Sequence, residues 1–393
     1  MTDRKGTILV GGFLGLIHAG GAVWDYIQYP LGLHLMGYDV YYLEDTRMYP
    51  VYGSDWNNSM PTIARLKSVM NDFGLDGRWI YRDEVTQTIY GKSEREYKEI
   101  CGRADVFINV SCASVIRDEY SRIPVRILLD SDPMFTQIQI NTDQSFTTEK
   151  GSLMDLAEWH THHFTFGENI NNDDCLIPET PFSWKVTRQP VCLGHWDFRE
   201  LPPTPAAFTT LMNWKAGKTL QYKGESWGQK DVTFPVILGV PLQAKEEHFR
   251  IAVSQTGGGR DESALAELKS SGWQIVSPDE ASGDHHLYQS FIYNSKGEIS
   301  VAKETYVKAR TGWFSGRSAC YLAAGRPVIT QDTGWSAMYP TGQGLFAFTA
   351  RDQAVEAVRK VCSDWKSHAM AARGIANDWF DHRKVLGDML RSL

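Results

Sequence analysis

Residues 310–329 have the sequence RTGWFSGRSACYLAAGRPVI, and this stretch decides the fold. Its first part is a loop that contains glycine, and an apolar run with helical spacing follows over about residues 314–324. Gly325 is expected to end that helix, and residues 327–330 are expected to form the next short strand. A loop, a helix and a strand in this order are typical of one step in a parallel sheet.

The start of this helix predicts an anion-binding site. Backbone N–H groups at a helix N-terminus have no partner within the helix and carry partial positive charge. Gly312, Ser315 and Ser318 lie at that start, so we expect them to surround a bound diphosphate. Arg310 and Arg317 belong to the same stretch and are expected to add charge-assisted hydrogen bonds.

The alternation of strands and helices extends over the whole chain. Residues 7–10 and 39–43 are short apolar strands on either side of a helix over about residues 22–36. After residue 206 the same pattern starts again, with strands expected at 208–212 and 249–254. We therefore predict an α/β protein with two Rossmann-like, doubly wound domains that face a cleft.

A proline-rich segment separates the two patterns. Residues 201–205 have the sequence LPPTP and are the best candidate for a domain boundary. The N-terminal domain is expected over residues 1–200 and the C-terminal domain over residues 206–375. The last helix, over residues 376–393, is expected to return to the N-terminal domain.

The composition argues against several classes of protein. The chain has 393 residues, so two domains are the default. Its formal net charge of -7 argues against a nucleic-acid-binding surface. No apolar run is long enough for a transmembrane helix. The six cysteines show no CxxC pairing, which is typical of reduced thiols in a cytoplasmic protein.

Several strings resemble glycosyltransferases of the GT-B fold, and in particular a largely uncharacterised bacterial group. They are GLHLMGYDVYYLED at 32–45, HHFTFGENI at 162–170 and YLAAGRPVITQDTG at 321–334. The resemblance implies a hexosyltransferase that moves a sugar from a nucleotide diphosphate sugar to an acceptor hydroxyl. It implies a UDP-, GDP- or dTDP-linked donor, a small-molecule or glycan acceptor, and neither a metal ion nor another cofactor.

One departure from that family leaves the stereochemical outcome open. Many retaining GT-B enzymes place two glutamates around the diphosphate helix. Counted back from Gly325, those two places are held here by Gly312 and Cys320. The carboxylates that such enzymes direct at the donor sugar and the ribose are therefore absent from their usual positions.

The resemblance extends the donor site to five further residues. In GT-B enzymes a basic residue after the first strand of this domain often binds the diphosphate. Lys230 is the first candidate for this role and Lys215 the second. The alternative is that both are solvated surface lysines. Gln331 and Asp332 follow a strand end and are expected to hold sugar hydroxyls, unless they only form a turn. Glu298 is a candidate for the missing ribose carboxylate or a residue of a surface turn.

The acceptor side is expected in the N-terminal domain. His18 and Asp25 follow the first strand and are candidates for the general base that removes the acceptor proton. Asp130 follows a later strand, and we expect it near the acceptor. The sequence Asp130-Ser131-Asp132 also matches the DxD motif of metal-dependent GT-A enzymes, which is the competing architecture. His160, His162 and His163 lack a carboxylate at metal-ligand spacing, so no metal is expected there.

Three other functions fit parts of the pattern. An NAD-dependent Rossmann oxidoreductase could place Glu44 and Asp45 on a ribose, but Gly11, Gly12 and Gly15 do not form GxGxxG. A sugar-nucleotide epimerase and a non-catalytic sugar-nucleotide-binding subunit are also compatible with the same architecture.

Overall fold

The computed structural model describes residues 5–47, 58–142, 152–201, 206–215, 219–254 and 261–393. The chain divides into two compact units. Unit 1 comprises Met1–Phe166, Pro178–Cys192 and His382–Leu393, and unit 2 comprises Gly167–Ile177 and Leu193–Asp381.

Unit 1 is built on one twisted, mainly parallel sheet. Its strands are β1 Lys5–Gly11, β2 Tyr38–Glu44, β3 Trp79–Arg82, β4 Ile89–Tyr90, β5 Val106–Val110, β6 Val125–Asp130, β7 His162–Thr165 and β8 Trp184–Val186. They lie in the order β4-β3-β2-β1-β5-β6-β7-β8, and β4 at the edge is antiparallel to β3. When β4 is left out and the strands are counted along the chain, the sheet from β3 to β7 follows the Rossmann order 3-2-1-4-5-6. β8 is one added strand beside β7.

The helices of unit 1 connect these strands. They are α1 Gly20–Leu35, α2 Met60–Asp72, α3 Glu94–Arg103, α4 Asp118–Ser121, α5 Phe135–Thr142, α6 Leu153–Trp159 and, from the end of the chain, α17 His382–Arg391. α17 packs on α1 at Gly32, where an added Cβ would lie 2.8 Å from Leu386 Cδ1. A side chain at position 32 would require the Leu386 and His382 side chains to shift.

Unit 2 has a second parallel sheet. Its strands are β9 Ala207–Asn213, β12 Phe249–Ser254, β13 Gln274–Val276, β14 Ser295–Ser300, β15 Val328–Gln331 and β16 Leu345–Phe348, beside an antiparallel pair, β10 Leu220–Tyr222 and β11 Glu225–Trp227. The sheet order β13-β12-β9-β14-β15-β16 is again 3-2-1-4-5-6 when its strands are counted along the chain.

The helices of unit 2 cover this sheet. They are α7 Lys230–Thr233, α8 Pro235–Leu238, α9 Val240–Gln243, α10 Glu262–Ser270, α11 Pro278–Ser282, α12 His285–Tyr293, α13 Glu304–Lys308, α14 Gly316–Ala323, α15 Arg351–Ser363 and α16 Trp365–Ile375. Short 3₁₀ turns at Leu193–His195 and Trp335–Ala337 and a π turn at Ala376–Phe380 complete it. Ala354, Val358 and Val361 recur on one face of α15 and are buried in the core of unit 2.

The predicted α/β class with two Rossmann-like sheets is confirmed, and the predicted strands lie within a few residues of the observed ones. The division of the chain is less simple than the boundaries 1–200, 206–375 and 376–393. Residues 167–177 belong to unit 2 although unit 1 resumes after them, and unit 2 begins again at Leu193. Of the proline-rich boundary candidate, residues 202–205 lie outside the described residues.

Backbone hydrogen bonds explain these assignments. Asn169 N–H donates to Thr311 O, and Leu176 N–H donates to Ala309 O, so both ends of the 167–177 segment are attached to unit 2. His382 N–H donates to Val191 O, which starts α17 within unit 1. None of the helices in the described part of the chain is long and apolar enough to cross a membrane.

Two glycines in one turn of unit 2 test how tightly that unit is packed. Gly342 and Gly344 both have positive φ, at +95° and +75°. A Cβ added to Gly342 would contact nothing within 4 Å, whereas a Cβ added to Gly344 would lie 2.4 Å from Ala372 N. Gly342→Ala should therefore cost about 1 kcal/mol of unfolding free energy, the left-handed penalty alone. Gly344→Ala should cost at least about 2 kcal/mol more, because backbone must move. Chemical denaturation followed by tryptophan fluorescence measures both, and equal losses would contradict this packing.

Candidate functional site

The sheet of unit 2 has a topological switch point between β9 and β14. In a doubly wound sheet the chain continues from two such strands to opposite sides of the sheet, so the loops at their carboxyl ends are expected to diverge and leave a crevice. Residues 214–215 follow β9, and residues 301–303 follow β14. Such crevices are where open parallel sheets bind ligands.

The first turn of α14 is open to a ligand. Ser315 is its N-cap residue, but the Ser315 side chain makes no capping hydrogen bond. Ala319 N–H donates to Ser315 O, whereas the N–H groups of Gly316, Arg317 and Ser318 have no acceptor among the described residues. Three unsatisfied donors with the positive end of the helix dipole form an arrangement that binds anions.

The loop before α14 is held in place by contacts with residues distant in sequence. Gly312 has φ +77° and donates its N–H to Thr333 O at 2.8 Å. A Cβ on Gly312 would lie 2.5 Å from Asn169 N, so glycine is required here. The Asn169 side chain donates through Nδ2 to Arg310 O at 2.7 Å. No local sequence pattern marks Asn169 as a site residue, because only the fold brings residues 169 and 310–312 together.

Arg310 is turned toward an acidic partner. Its Nε donates to Asp174 Oδ2 at 2.7 Å, and both side chains are about half exposed. Hydrogen bonds from Asn169 and Arg310 lower the pKa of Asp174. A contact between Arg310 and a diphosphate therefore stays a prediction that requires this ion pair to open.

Glu298 and Arg317 form a buried ion pair beneath α14. Glu298 lies inside β14 and is 0% exposed, so the alternative of a surface turn is wrong. Arg317 Nε donates to Glu298 Oε1 at 2.6 Å, and Arg317 Nη1 donates to Leu211 O at 2.6 Å. Arg317 thus bridges β14 and β9, the two strands at the switch point.

Ser318 and Gln331 are both buried near these elements. Ser318 is 0% exposed, and its hydroxyl has no hydrogen-bond partner among the described residues. Gln331 ends β15, and its Oε1 accepts a hydrogen bond from Ala302 N–H at 3.3 Å. Gln331 therefore connects the loop after β14 to the end of the neighbouring strand.

Asp332 forms the turn that the sequence analysis gave as its alternative role. Oδ1 accepts from Gly334 N–H at 2.9 Å and from Ser336 N–H at 3.2 Å, and Oδ2 accepts from Ser336 Oγ at 2.8 Å. Both carboxylate oxygens are thus used to shape the Trp335–Ala337 turn. A sugar contact by Asp332 stays a prediction, and this geometry argues against it.

The two candidate lysines occupy different environments. Lys215 Nζ lies 3.3 Å from Asp231 Oδ2, and the lysine side chain is half exposed. Lys230 begins α7 and is half-buried. Glu304 N–H donates to Gln229 O at 3.3 Å, which attaches the residue before Lys230 to the loop after β14. Lys230 is therefore near the switch point, whereas Lys215 is paired with a neighbouring carboxylate.

The acceptor-side candidates lie in unit 1. His18 lies in the loop between β1 and α1, and Asp25 is an exposed residue of α1. Burial, together with the charge of Arg65, lowers the pKa of His18 below its usual value. A lowered pKa keeps the imidazole neutral at neutral pH, which is the form that accepts a proton.

A carboxylate already occupies the loop of unit 1 that corresponds to the phosphate loop of dinucleotide-binding domains. Glu44 accepts hydrogen bonds from Gly15 N–H at 2.8 Å, Leu16 N–H at 2.7 Å and Tyr42 OH at 2.9 Å. Burial raises the pKa of Glu44 to about 7, although these hydrogen bonds oppose the shift. These two loop donors are therefore not available to the phosphate of a dinucleotide, which argues against an NAD-dependent oxidoreductase.

The neighbouring carboxylate is also committed to the fold. Asp45 accepts two hydrogen bonds from Arg117, at 2.6 and 2.8 Å, and one from Tyr120 OH. Neither Glu44 nor Asp45 is therefore placed to bind a ribose.

Asp130 lies at the end of β6 in a closed hydrogen-bond network. It is 0% exposed and accepts from Thr136 Oγ1 at 2.6 Å, Gln137 Nε2 at 2.9 Å, Thr165 Oγ1 at 2.8 Å and Asp132 N–H at 2.9 Å. Burial raises the pKa of Asp130, against the effect of its side-chain hydrogen bonds. Since both oxygens are occupied, this arrangement argues against a catalytic role and against a DxD metal site.

The histidines of the HTHH segment have structural partners. His160 Nδ1 contacts Leu156 O at 2.6 Å, and His160 Nε2 lies 3.3 Å from Asn109 Nδ2. Burial lowers the pKa of His160 to about 3. His163 Nε2 contacts Ala157 O at 2.8 Å, and its ring stacks on Phe182. His162 Nδ1 lies 2.9 Å from Thr161 Oγ1.

Three solved structures with a similar fold are glycosyltransferases. AviGT4, a glycosyltransferase involved in avilamycin A biosynthesis, is 9% identical with a TM-score of 0.56 over 99% of this chain and 97% of its own. The pneumococcal O-GlcNAc transferase GtfA, solved with UDP and GlcNAc, is 9% identical with a TM-score of 0.58 over 99% of each chain. Sucrose-phosphate synthase from Thermosynechococcus elongatus is 10% identical with a TM-score of 0.54 over 99% of each chain.

No protein-family model and no curated protein matches the sequence. At these identities the structural likeness shows the fold and not the reaction. The chain has the fold of GT-B glycosyltransferases, with two Rossmann-like units, as the resemblance implied.

Asp332 allows the turn-forming role to be separated from sugar binding. Asp332→Ala should lower the unfolding free energy by about 1 kcal/mol, the usual cost of losing a side-chain cap. Asp332→Asn should lose much less, because asparagine caps almost as well. Chemical denaturation of both variants measures the difference. If Asp332→Ala leaves the stability unchanged and weakens binding of the nucleotide sugar but not of the free nucleoside diphosphate, Asp332 contacts the sugar and the turn-forming role is contradicted.

Proposed function

We propose that this protein is a glycosyltransferase of the hexosyltransferase type, with a nucleotide diphosphate sugar bound by unit 2. The observation that carries the proposal is the open first turn of α14, where three N–H groups lack acceptors among the described residues. That turn adjoins the switch point of a sheet with Rossmann strand order. An anion site at this position is suited to the diphosphate of a nucleotide donor.

The proposed chemistry requires stabilisation of a leaving group. The bond between the anomeric carbon of the sugar and the diphosphate oxygen breaks, and a bond from the acceptor oxygen to that carbon forms. The diphosphate leaves with additional negative charge. In the proposal the first-turn N–H groups of α14, Arg317 and Lys230 stabilise that charge. These groups already carry positive charge or partial charge, so no divalent ion is required.

The acceptor hydroxyl must lose a proton during the same reaction. We propose that the neutral imidazole of His18 accepts this proton as the general base, with Asp25 as the second candidate. Asp130 is left out of the assignment because its oxygens are saturated by hydrogen bonds within unit 1. The acceptor is proposed to be a small molecule or a glycan.

The structural neighbours support UDP as the first nucleotide to test. GtfA was solved with UDP and GlcNAc, and an α-glucosyltransferase of the same fold was solved with UDP and a 13-mer DNA. For this chain a nucleic-acid acceptor is less favoured, because its net charge is -7. We propose a cytoplasmic location, since none of the six cysteines, all of which are described, forms a disulfide.

A thermal-shift screen tests the nucleotide specificity. UDP, GDP, dTDP, ADP and CMP are each added in excess to the full chain. A ligand that binds only the native state raises the midpoint of unfolding according to its affinity, so the correct nucleotide should give the largest shift. The absence of a shift with every nucleoside diphosphate would contradict the proposed donor site.

Metal independence is tested with nucleotide sugars that carry the nucleotide selected by the screen. Hydrolysis of such a donor, or transfer of its sugar, should continue in excess EDTA with changes of only a few-fold, because protein groups stabilise the leaving diphosphate. The rate is measured as release of nucleoside diphosphate, with an untreated sample as the control. Complete loss of turnover in EDTA, restored by Mn²⁺ or Mg²⁺, would overturn the metal-free mechanism.

A further inference from the structure

The ion pair between Glu298 and Arg317 is arranged to leave one end of the arginine available. Two of the three guanidinium nitrogens are fixed, Nε on Glu298 Oε1 and Nη1 on Leu211 O, both at 2.6 Å. The third nitrogen, Nη2, has no partner among the described residues. The Arg317 side chain is 12% exposed, so it is not entirely enclosed by the unit.

The carboxylate of this pair cannot itself reach a ligand. Glu298 is 0% exposed, and its second oxygen, Oε2, has no hydrogen-bond partner among the described residues. The nearby polar groups bond to one another instead, since Thr209 Oγ1 lies 2.6 Å from both Ser295 Oγ and Tyr321 OH. The only charged partner of Glu298 within the described chain is Arg317.

The position of Arg317 in α14 is unfavourable for the helix alone. A cation in the first turn is repelled by the positive end of the helix dipole, which favours anions there. Burying an ion pair also removes both charges from water, and apolar side chains often stabilise such a site as well or better. An arginine at this place is therefore better explained by an anionic ligand than by stability.

We propose that Glu298 is a positioning residue that fixes the orientation of the Arg317 guanidinium. In this orientation Nη2 donates a hydrogen bond to the diphosphate, which also binds the first-turn N–H groups of α14. This inference rests on the proposed function of unit 2 and assigns Glu298 a role different from ribose binding. Glu298 acts through the hydrogen bond to Nε, because a fixed guanidinium loses less freedom when it binds an anion. Its negative charge by itself would weaken diphosphate binding.

The opposite effects of orientation and charge give the test. Glu298→Ala removes the acceptor that orients Arg317, whereas Glu298→Gln keeps an acceptor oxygen and removes the charge. The ligands are UDP and uridine, or the corresponding pair for the nucleoside diphosphate that the screen selects, and binding is measured by calorimetry. Glu298→Ala should weaken UDP binding about tenfold, the scale of one charged hydrogen bond. Uridine binding should change less than about twofold, because uridine lacks the diphosphate.

Two controls keep the result interpretable. Glu298→Gln should bind UDP within about threefold of the unmodified protein, since the orienting hydrogen bond persists. Glu247→Gln removes the carboxylate of another ion pair of β14, with Lys296 near its amino end, and should leave UDP binding unchanged. If Glu298→Ala fails to fold, a double variant with Glu298→Leu and Arg317→Met removes both charges. Its UDP affinity is compared with that of Arg317→Met alone, and the two affinities are expected to be equal.

The outcomes separate this inference from the proposed function. Unchanged or tighter UDP binding by Glu298→Ala would overturn the positioning role, and so would parallel losses for UDP and uridine. A further loss of UDP affinity on adding Glu298→Leu to Arg317→Met would also overturn it, because Glu298 would then act without Arg317. If the unmodified protein binds no nucleoside diphosphate, the proposed function itself fails.

Discussion

The unsatisfied N–H groups at the first turn of α14 are the constraint around which unit 2 is organised. A helix start with no side-chain cap needs another partner for its donors, either water or a bound anion. Gly312, Thr333 and Asn169 fix the loop that leads into this turn, and Arg317 connects it to β9 and β14. These contacts fix the position of the N–H groups of residues 316–318 without accepting their hydrogen bonds.

The two units share a strand order, but the backbone donors discussed here lie at different places, after the first strand β1 in unit 1 and before β15 in unit 2. In unit 1 the loop after β1 directs two backbone N–H groups at the Glu44 carboxylate, so an internal anion takes the place of a phosphate. In unit 2 the N–H groups at the start of α14 are not consumed by a side chain. The loop N–H groups of Gly15 and Leu16 are therefore not available to a phosphate, whereas the first-turn N–H groups of α14 are, and we assign the nucleotide to unit 2.

Local sequence patterns were sufficient to predict several strands of each sheet, helix α1 and the position of the α14 turn, because apolar spacing and glycines act over short distances. Contacts between distant segments could not be predicted in this way. The burial of Glu298 within β14, the attachment of Asn169 to the 310–312 loop and the occupation of the β1 loop by Glu44 each depend on the folded chain. For Asp332 the sequence allowed both a sugar contact and a turn, and its hydrogen bonds to Gly334 and Ser336 favour the turn.

Hydrogen exchange measured with and without the selected nucleoside diphosphate tests the central claim most directly. Backbone N–H groups that bind an anion are withdrawn from solvent, so their exchange should slow when the ligand is present. The account predicts slower exchange at residues 316–318 of unit 2 and no change at residues 14–16 of unit 1, whose N–H groups already donate to Tyr42 and Glu44. Protection at residues 14–16 with none at 316–318 would contradict it, because the diphosphate would then be bound by unit 1.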